Sequence, residues 1–451
     1  MFKKILIANR GEIALRILRC CKELKIQTLL IYSRADRRSL PVMLADESLC
    51  IGPESAVDSY LQQDLIIEIA LKTGCDAIHP GYGFLSENSE FAFKCERAGL
   101  TFIGPSPSII ALMGDKQAAR ELVKRHGIPL VPGSEGVLSC AEEAKAVAQK
   151  IGYPVLIKAS AGGGGKGMRA AYGPKELEVA YRQAVQEAEK AFGCGDVYLE
   201  KLITDPRHIE IQLAADKYGN VIHLGERNCS IQKYHQKLLE EAPAFGLSDA
   251  LCSEMAETAV RAAKACGYDS VGTVEFLVDR DDHFYFIEMN TRIQVEHPVT
   301  ESICGLDLIR LQIRSAAGKK LPLTQEQVLF RGHAIECRIN AKSPGKITML
   351  HFPQGLGVRI ESSLYEGDEV SPFYDSMIAK IIVTGESRRQ AVYRMRSALA
   401  ELVIEGVSTN LSEMLLLLYR PDFVLGGYDT SFWEKNELFL KEAQLSASKG
   451  S

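Results

Sequence analysis

The sequence predicts a mixed α/β and α+β protein: a doubly wound parallel sheet comes first, a central domain with a glycine-rich flap follows, and an α+β domain ends the chain. Strand-like and helix-like segments alternate through the first hundred residues, which is the pattern of a doubly wound sheet. A run of glycines follows an apolar strand in the central part, and strand-like segments dominate after His333. A length of 451 residues is enough for two or three such domains.

The first domain, expected over residues 1–113, begins with an apolar segment that is too short for a signal peptide. Arg10 and Glu12 follow it at once, so we interpret it as a strand. Apolar residues then recur at helical spacing, and the alternation continues. The predicted elements are strand Lys4–Ala8, helix Glu12–Leu24, strand Gln27–Ser33, helix Leu65–Lys72, strand Ala77–His79, helix Phe91–Ala98 and strand Thr101–Gly104.

A dinucleotide-binding domain is the alternative for this region, with Asp36 as the ribose ligand. The turn after the first strand, residues 9–14, has one glycine, whereas the G-x-G-x-x-G fingerprint requires three. We therefore do not expect a nicotinamide cofactor.

A stretch rich in Gly, Pro and Ser, residues 104–108, marks the first domain boundary. We expect the second domain over residues 114–330, with a flap subdomain at about 130–203, and the third over 331–445. The predicted elements of the second domain are helix Asp115–His126, strand Pro154–Ser160, helix Pro174–Phe192, strand Val197–Leu202 and helix Asp307–Ala317. Those of the third are strands Ala334–Asn340, Lys346–Leu350, Gly357–Glu361 and Ile378–Thr384, and helix Arg388–Leu402.

Composition excludes several classes of protein. The formal net charge of −5 gives no electrostatic reason to expect nucleic acid or an anionic membrane as a partner. No apolar run approaches the length that spans a bilayer. The twelve cysteines contain no C-x-x-C pair and no zinc-type spacing with His. Most lie within helical or strand-like patterns, as reduced cysteines do, so we expect a cytoplasmic protein.

The segment 273–296 has the alternating pattern of a β-hairpin followed by a polar edge. If Asp281–Asp282 are the two central residues of its turn, Glu275 lies directly opposite Glu288. Asn290 is then next along the same face, because side chains alternate between the two faces of a strand.

Two directly opposed carboxylates repel each other, and a cation between them offsets that repulsion. Oxygen ligands without His or Cys suit Mg²⁺ that is shared with substrate phosphates. The alternative is a pair of solvated glutamates on an exposed sheet face. The polar residues that follow, 291–297, favour a catalytic edge over a surface strand.

The glycine run, residues 162–167, follows the strand that carries Lys158. Successive glycines let backbone N–H groups approach an anion closely. No Ser or Thr follows the lysine of the run, so it is not a Walker A loop. We favour a mobile flap that covers phosphates over a flexible spacer. Lys116 and Lys237, with Lys158 and the acidic hairpin, make a set suited to phosphates and their metal.

Three long strings of the chain resemble one known family. They are IANRGEIA at 7–14, HPGYGFLSEN at 79–88 and EMNTRIQVEH at 288–297. With the flap and the hairpin, they resemble the ATP-grasp ligases and, among these, the biotin carboxylases. The best fit is to the separate biotin carboxylase subunit of bacterial acetyl-CoA carboxylases. The resemblance implies an N-terminal biotin carboxylase (pre-ATP-grasp) domain, an ATP-grasp domain and a C-terminal biotin carboxylase domain.

The resemblance also implies roles for individual residues. ATP is expected to contact Lys116, Lys158, Gly163, Gly164, Gly165, Lys166, Gly167, Glu200, Lys201, Ile203, His208, Gln232, His235, Lys237, Glu275, Leu277 and Glu288. Two Mg²⁺ or Mn²⁺ ions are expected at Glu275, Glu288 and Asn290. Bicarbonate and biotin are expected at Tyr82, Arg292, Gln294, Val295, Glu296 and Arg338.

In the family reaction, bicarbonate and ATP form carboxyphosphate, which carboxylates biotin. The resemblance gives Glu296 the role of general base, Lys237 a place at the phosphoryl group, and Arg292 and Arg338 the stabilisation of negative charge. In acetyl-CoA carboxylase this half-reaction leads to malonyl-CoA and fatty acids. The chain ends without a biotinyl-lysine segment or a carboxyltransferase region. We therefore expect a biotin carboxyl carrier protein and carboxyltransferase subunits as partners, and the resemblance adds a homodimer.

One segment departs from the family pattern, since the chain from Arg338 to Lys346 is a handful of residues shorter. The short segment favours a nucleotide-binding regulatory protein without turnover, although surface loops tolerate such trimming. Another ATP-grasp ligase, which joins an acyl phosphate to an amine, is the remaining alternative. The string 292–296 and Arg338 argue against that ligase.

Overall fold

The structure of the protein is a computed structural model that describes residues 1–160 and 168–449. The N-terminal elements are β1 (Lys4–Ile7), α1 (Gly11–Glu23), β2 (Gln27–Ser33), α2 (Leu40–Leu44), β3 (Glu47–Gly52), α3 (Gln63–Lys72), β4 (Ala77–His79), α4 (Ser89–Arg97) and β5 (Thr101–Phe102). The five strands form a parallel sheet in the order β3-β2-β1-β4-β5. Ile5 and Ile7 pack into one core and Leu6 into another, so both faces of the sheet are covered. The prediction of a doubly wound parallel sheet is confirmed.

The sequence pattern does not predict β3 or α2. The first four residues of β3, Glu47–Cys50, are exposed at the edge of the sheet, so β3 lacks the apolar run of a buried strand. Helix α2 has five residues, which is too short to show a helical period.

The region predicted to form the flap subdomain is a small layer of helices on a three-stranded antiparallel sheet in the order β7-β6-β8. The elements that lead into it and form it are α5 (Pro107–Gly114), α6 (Lys116–Arg125), α7 (Ala141–Ile151), β6 (Val155–Ala159), β7 (Arg169–Ala171), α8 (Pro174–Phe192) and β8 (Val197–Lys201). Alanines of α7 and α8 pack on Val155, Ile157 and Leu199. The residues predicted to cover the phosphates, Gly163, Gly164, Gly165, Lys166 and Gly167, lie outside the described residues.

The rest of the central region contains the strands and helices that surround the candidate site. These are β9 (Arg207–Ala215), β10 (Val221–Lys233), β11 (Gln236–Ala242), α9 (Asp249–Ala265), β12 (Val271–Val278), β13 (Phe284–Asn290), α10 (His297–Cys304) and α11 (Leu308–Ala316). Helices α6 and α9 pack on one face of β9 and β12, around Ile211, Val274 and Phe276.

The C-terminal elements are β14 (His333–Asn340), β15 (Gly345–Lys346), β16 (Met349–His351), β17 (Val358–Ser362), β18 (Glu369–Val370), β19 (Met377–Gly385), α12 (Arg388–Glu401), β20 (Val403–Glu405), α13 (Leu411–Leu417), α14 (Pro421–Leu425) and α15 (Phe432–Lys449). The prediction of one strand over 346–350 is wrong: β15 pairs with β18 and β16 with β20. Ile347, between them, is fully buried. No helix in the described ranges is long and apolar enough to cross a bilayer.

One large antiparallel sheet joins the central and C-terminal regions. Its strand order is β13-β12-β9-β10-β11-β14-β19-β17, and β11 pairs directly with β14. The change of character at His333 is therefore a change of strand within one sheet. A side chain on β14 can meet side chains from β11 across a normal interstrand distance.

The core of this sheet allows a stability prediction. Phe276 is fully buried and packs edge-on against Phe284 and Phe286, with ring centroids 5.4 and 6.4 Å away. We expect Phe276→Ala to lower the free energy of unfolding by about 3 to 5 kcal/mol, because it leaves a cavity. Phe93, which is 51% exposed, is the matched control. Chemical denaturation of Phe93→Ala should show a change of about 0.5 kcal/mol or less, and equal effects of the two variants would contradict this packing.

Candidate active site

The hairpin of β12 and β13 places two carboxylates opposite each other. Glu275 pairs with Glu288 in the strand register, as predicted. The predicted turn is wrong, however, since the backbone N–H of Asp279 donates to the carbonyl of His283 and closes a longer loop. Phe276 pairs with Phe286, whereas its neighbour Glu275 pairs with Glu288. The residue between Phe286 and Glu288 is therefore a β-bulge, and this bulge brings the two carboxylates opposite each other despite the longer loop.

The side chain of Asp279 explains this loop. Its carboxylate accepts hydrogen bonds from the backbone N–H groups of Asp281 and His283, both at 2.9 Å. Asp282 takes a left-handed conformation with φ of 61°, which Asp tolerates better than most residues. A local Asx-type turn therefore replaces the tight two-residue turn.

The two carboxylates differ in their surroundings. Glu275 is buried and Glu288 is exposed to the cleft, so the alternative of two solvated glutamates is wrong for Glu275. Asn290 lies on the same face and donates to Glu275 Oε1 at 2.7 Å. Desolvation by the surrounding protein and the charge of Glu275 raise the pKa of Glu288, although Lys237 and Lys116 oppose this. A divalent cation would relieve that repulsion, and the oxygens of this set fit Mg²⁺.

Lys237 connects three carboxylates that come from different parts of the chain. Its Nζ contacts Glu210, lies 2.9 Å from Glu275 Oε1, and lies 2.8 Å from Glu296 Oε1. Burial opposes its charge, but Glu210, Glu275 and Glu296 hold the pKa of Lys237 well above its usual value. Lys237 is therefore an ammonium at any physiological pH.

His208 lies beside the same carboxylates. Its Nε2 is 2.9 Å from Glu275 and 3.3 Å from Glu210, and its Nδ1 is 3.0 Å from Gln232 Nε2. Burial lowers the pKa of His208, but Glu275 and Glu210 raise it more, to about 9. The imidazolium and Lys237 together hold the pKa of Glu275 well below its usual value, against the effect of burial.

Glu296 lies between two cations at the end of the segment that follows β13. Its Oε1 contacts Lys237, and its Oε2 is 2.8 Å from Arg338 Nη2. Burial raises its pKa, but Lys237, Arg338 and Arg227 lower it to about 2. The carboxylate is therefore ionised at neutral pH.

The predicted anion-binding residues lie next to Glu296. Arg292 Nε donates to Glu87 at 2.8 Å, and its Nη2 donates to Asn290 Oδ1 at 3.0 Å. Gln294 Nε2 donates to Glu275 at 2.8 Å. The carbonyl of Val295 accepts a hydrogen bond from Lys380 at 2.7 Å, and the Tyr82 hydroxyl donates to Glu12.

A cleft of about 930 Å³ brings residues from several elements together. Those of its lining that the sequence predicts are Tyr82, His208, Gln232, His235, Lys237, Glu275, Glu288, Asn290, Arg292, Gln294, Val295, Glu296 and Arg338. Predicted nucleotide contacts outside this lining, within the described ranges, are Lys116, Lys158, Glu200, Lys201, Ile203 and Leu277. The structure therefore assembles the reaction side of the predicted site in one cavity.

The predicted nucleotide side is organised around Glu200. This buried carboxylate contacts Lys158 Nζ and Arg120 Nη1, both at 2.5 Å. Lys201 Nζ instead donates to the carbonyls of Gly152 and Tyr153, at 3.1 and 2.8 Å. Leu277 pairs with His208 in the register of β9 and β12, which connects this side to the cleft.

The sequence patterns miss three residues that hold the site together. Arg227 is fully buried and contacts Glu210 Oε2 at 3.0 Å, while its Nη2 also donates to Gln294. Glu87, from the N-terminal region, holds Arg292 and accepts from the backbone N–H of Thr291 at 3.1 Å. Alternation along β9 puts Glu210 on the face of His208, which is the one signal that could have found it.

The chain matches known families over most of its length. Residues 1–110 match the family described as "Biotin carboxylase, N-terminal domain". Residues 115–324 match "Carbamoyl-phosphate synthase L chain, ATP binding domain". Residues 336–435 match "Biotin carboxylase C-terminal domain".

Solved structures with the same fold include a biotin carboxylase complex with β-γ-ATP from Campylobacter jejuni. It is 49% identical with a TM-score of 0.93, and the match covers 96% of this chain and 99% of that one. The biotin carboxylase domain dimer of 2-oxoglutarate carboxylase from Hydrogenobacter thermophilus was solved with MgADP, ADP and bicarbonate. It is 50% identical with a TM-score of 0.92, and the match covers 98% of this chain and 99% of that one.

Curated relatives show the same similarity in sequence. Biotin carboxylase 1 of Bacillus subtilis is 54% identical over 443 residues, which are 96% of this chain and 98% of that protein. Biotin carboxylase of Pseudomonas aeruginosa is 51% identical over 443 residues, with the same coverage of each chain. With Glu275, Glu288 and Glu296 set in one cleft as the sequence predicts, the chain belongs to the biotin carboxylase family of ATP-grasp ligases, which carboxylate biotin at the expense of ATP.

Proposed function

We propose that the chain catalyses the first half-reaction of an acetyl-CoA carboxylase, in which bicarbonate and ATP carboxylate biotin on a carrier protein through carboxyphosphate. The observation that carries the proposal is the setting of Glu296. One of its carboxylate oxygens contacts Lys237, and the other contacts Arg338, in the wall of the cleft. A proton acceptor thus lies between a phosphate-type cation and an arginine that suits carboxylates or oxyanions.

The first step makes carboxyphosphate. Glu296 accepts the proton of bicarbonate, a bicarbonate oxygen attacks the γ-phosphorus, and the bond from that phosphorus to the ADP oxygen breaks. The Lys237 ammonium offsets the charge that moves onto the phosphoryl oxygens. Arg292, whose guanidinium faces the cleft, can bind the two carboxylate oxygens of bicarbonate at once.

The low pKa of Glu296 in the free protein keeps its carboxylate ionised but makes it a weak base. Lys237 and Arg338 lower this pKa, and both cations face the space that phosphate and carboxylate groups would fill. Substrate anions that contact these cations weaken their hold on Glu296 and raise its basicity. Glu296 thus becomes a better proton acceptor when the substrates are present.

In the second step, carboxyphosphate splits into carbon dioxide and phosphate. The phosphate accepts the N–H proton of the biotin ureido group, and the nitrogen forms a bond to the carbon of carbon dioxide. Arg338 lines the cleft beside Glu296, and its guanidinium would stabilise the negative charge on the ureido oxygen. Tyr82 also lines the cleft.

The residues present fit a divalent metal. Glu275, Glu288 and Asn290 would hold Mg²⁺ or Mn²⁺, two ions in all, with ATP oxygens completing the ligand set. When bound, the metal offsets negative charge between the phosphates. His208 and Lys237 fix the Glu275 carboxylate, and so keep it in place for that metal.

We place the chain in the cytoplasm as one component of a larger assembly, with a biotin carboxyl carrier protein and carboxyltransferase subunits as partners. All twelve cysteines are free, and several are core residues, such as Cys20, Cys95 and Cys337, as suits a reducing compartment. A homodimer is supported by the dimeric biotin carboxylase domain of the Hydrogenobacter relative.

The carboxylation of biotin itself can be tested directly. We expect ATP hydrolysis with Mg²⁺ to require bicarbonate and to rise when free biotin is added, because only the second step uses biotin. Phosphate release, with and without each substrate, is the measurement. Bicarbonate-dependent hydrolysis that is indifferent to biotin would contradict the proposed role of Arg338, and hydrolysis without bicarbonate would contradict the first step.

The role of Glu296 gives a second prediction. Glu296→Gln should abolish bicarbonate-dependent turnover but bind ATP as the wild type does, because it removes the proton acceptor and keeps the shape. Calorimetric titration with ATP and a phosphate assay measure the two properties. Glu405→Gln, an exposed glutamate on β20, is the control and should keep full turnover. Normal turnover by Glu296→Gln would show that another group is the base.

A pyruvate or 2-oxoglutarate carboxylase is the second candidate assembly. The small component of 2-oxoglutarate carboxylase from Hydrogenobacter thermophilus is 51% identical, and a component of pyruvate carboxylase from Methanothermobacter thermautotrophicus is 50% identical. These identities are close to those of the proteins named biotin carboxylase. The assembly is therefore distinguished by measuring which compound, acetyl-CoA, pyruvate or 2-oxoglutarate, accepts the carboxyl group.

We expect depletion of the chain in its host to remove acetyl-CoA-dependent fixation of labelled bicarbonate from cell extracts. Purified chain added back should restore it, because the carrier and carboxyltransferase remain in the extract. The matched control is Glu296→Gln protein, which should not restore it. Restoration of labelling with pyruvate or 2-oxoglutarate but not with acetyl-CoA would assign the chain to the other assembly.

A further inference from the structure

The large sheet carries a group of buried charged side chains beneath Arg338 that the steps above do not use. Glu240 on β11 and Glu336 on β14 are directly opposed in the strand register, and both are fully buried. Arg338 follows two residues after Glu336 and so lies on the same face of β14. Lys380 on β19, also fully buried, pairs with Arg338.

Arg338 has two carboxylate partners rather than one. Its Nη2 is 2.5 Å from Glu240 Oε1 and 2.8 Å from Glu296 Oε2. One guanidinium nitrogen therefore lies between the proposed base, which lines the cleft, and a glutamate buried in the sheet behind it. Attraction between opposite charges at this distance, away from bulk water, restricts the position of the guanidinium.

Glu240 and Glu336 cannot both be ionised at low cost. Directly opposed side chains have Cβ atoms about 5 Å apart, and burial of an unpaired charge is expensive. The oxygens of both carboxylates are buried without a hydrogen-bond partner. Glu240 nevertheless forms an ion pair with the guanidinium of Arg338, whereas no ion pair joins Glu336 to a cation among the described residues.

Lys380, the other cation near Glu336, has partners elsewhere. Its Nζ is 3.0 Å from Glu12 Oε1 and donates to the carbonyl of Val295 at 2.7 Å. The negative charge of the opposed pair therefore belongs on Glu240, and the proton belongs on Glu336.

The ionisation equilibria agree with this placement. Burial raises the pKa of Glu240 to about 7, and Arg338 opposes that rise. Burial also holds the pKa of Glu336 well above its usual value. The charge of Lys380 lowers this pKa, and the charge of Glu240 raises it further. The charged groups that face Glu240 are Arg338 and Glu336 from β14, Glu296 from the segment before α10, and Lys237 from its own strand.

We propose that Glu240 is a positioning residue that holds Arg338 in place during the biotin half of the reaction. Glu336 is protonated and neutral, so Arg338 is left to pair with Glu240. The inference rests on the proposed roles of Glu296 and Arg338. Once Glu296 has accepted the bicarbonate proton it is neutral and holds Arg338 only weakly. Glu240 is the anion that still anchors the guanidinium when carbon dioxide and the ureido oxygen need it.

The consequence is a coupling between ATP use and biotin carboxylation. If Arg338 is displaced when carboxyphosphate breaks down, carbon dioxide escapes before biotin captures it. ATP is then hydrolysed without carboxybiotin. The ratio of ATP hydrolysed to carboxybiotin formed therefore reports on the anchoring, whereas a general loss of structure lowers both rates together.

The test uses the full chain with free biotin, Mg²⁺-ATP and labelled bicarbonate. Glu240→Gln keeps the shape and removes the negative charge. We expect carboxybiotin formation to fall by about tenfold to a hundredfold, the cost of a misplaced catalytic group, while bicarbonate-dependent ATP hydrolysis persists and the ratio rises. Glu240→Asp, which restores the charge on a shorter side chain, should recover part of the coupling.

Glu336→Gln is the matched control. Glutamine reproduces a neutral Glu336, so its ratio should stay close to that of the wild type. The inference is overturned if Glu240→Gln keeps the wild-type ratio, if Glu336→Gln raises the ratio as much, or if both rates of Glu240→Gln fall together. If Arg338→Ala keeps the wild-type ratio, the proposed role of Arg338 fails and the inference fails with it. If Arg338→Ala raises the ratio of ATP hydrolysed to carboxybiotin and Glu240→Gln does not, the inference about Glu240 is overturned and the proposed role of Arg338 stands.

The pH dependence of the wild type provides a readout that needs no folded variant. A carboxylate with a pKa of about 7 gains its proton as the pH falls, so the anchor is present above that pH and lost below it. We expect the ratio of ATP hydrolysed to carboxybiotin to be lower at about pH 8 than at about pH 6. In Glu240→Gln the ratio should be high and constant over this range. A ratio in the wild type that does not change with pH would overturn the inference.

Discussion

The contact of Lys237 with three carboxylates is the interaction on which the cleft depends. Glu210 comes from β9, Glu275 from β12 and Glu296 from the segment before α10. Each of these carboxylates is buried, and without a shared cation their repulsion and desolvation would separate the elements that carry them. The same ammonium lies in the cleft wall, so the group that assembles the site is also the one for which we propose contact with phosphate.

The hairpin shows how far one strand pattern can predict a site. Alternation along β12 and β13 sets Glu275, Glu288 and Asn290 on one face, and the pairing is local, across a single loop. The predicted turn was one residue off, yet a bulge in β13 compensated for it, because the apolar residues on the other face have to reach the core. Burial of Phe276 and Phe286 therefore fixes the register more firmly than the turn does.

Residues contributed by distant strands could not be found in this way. Glu210, Glu240 and Glu336 take their roles from neighbours on β12, β14 and β11, which are paired across long stretches of chain. A single sequence does not show which strand lies next to each of them. For the same reason, the pattern does not predict that the large sheet continues from β11 to β14, across the predicted domain boundary at residue 331.

The shortened segment after Arg338 does not disturb that arginine. Arg338 lies within β14, which is paired on one side with β11 and on the other with β19, and the segment begins beyond it. Asn410 closes the end of the strand: its Nδ2 donates to the carbonyl of Arg338 at 3.0 Å, and its Oδ1 accepts from the N–H of Asn340 at 2.8 Å. The strand is therefore held on three sides before the chain turns away. With the shorter connection, the guanidinium still lies between Glu240 and Glu296. The shortened segment is therefore no argument for a regulatory protein without turnover.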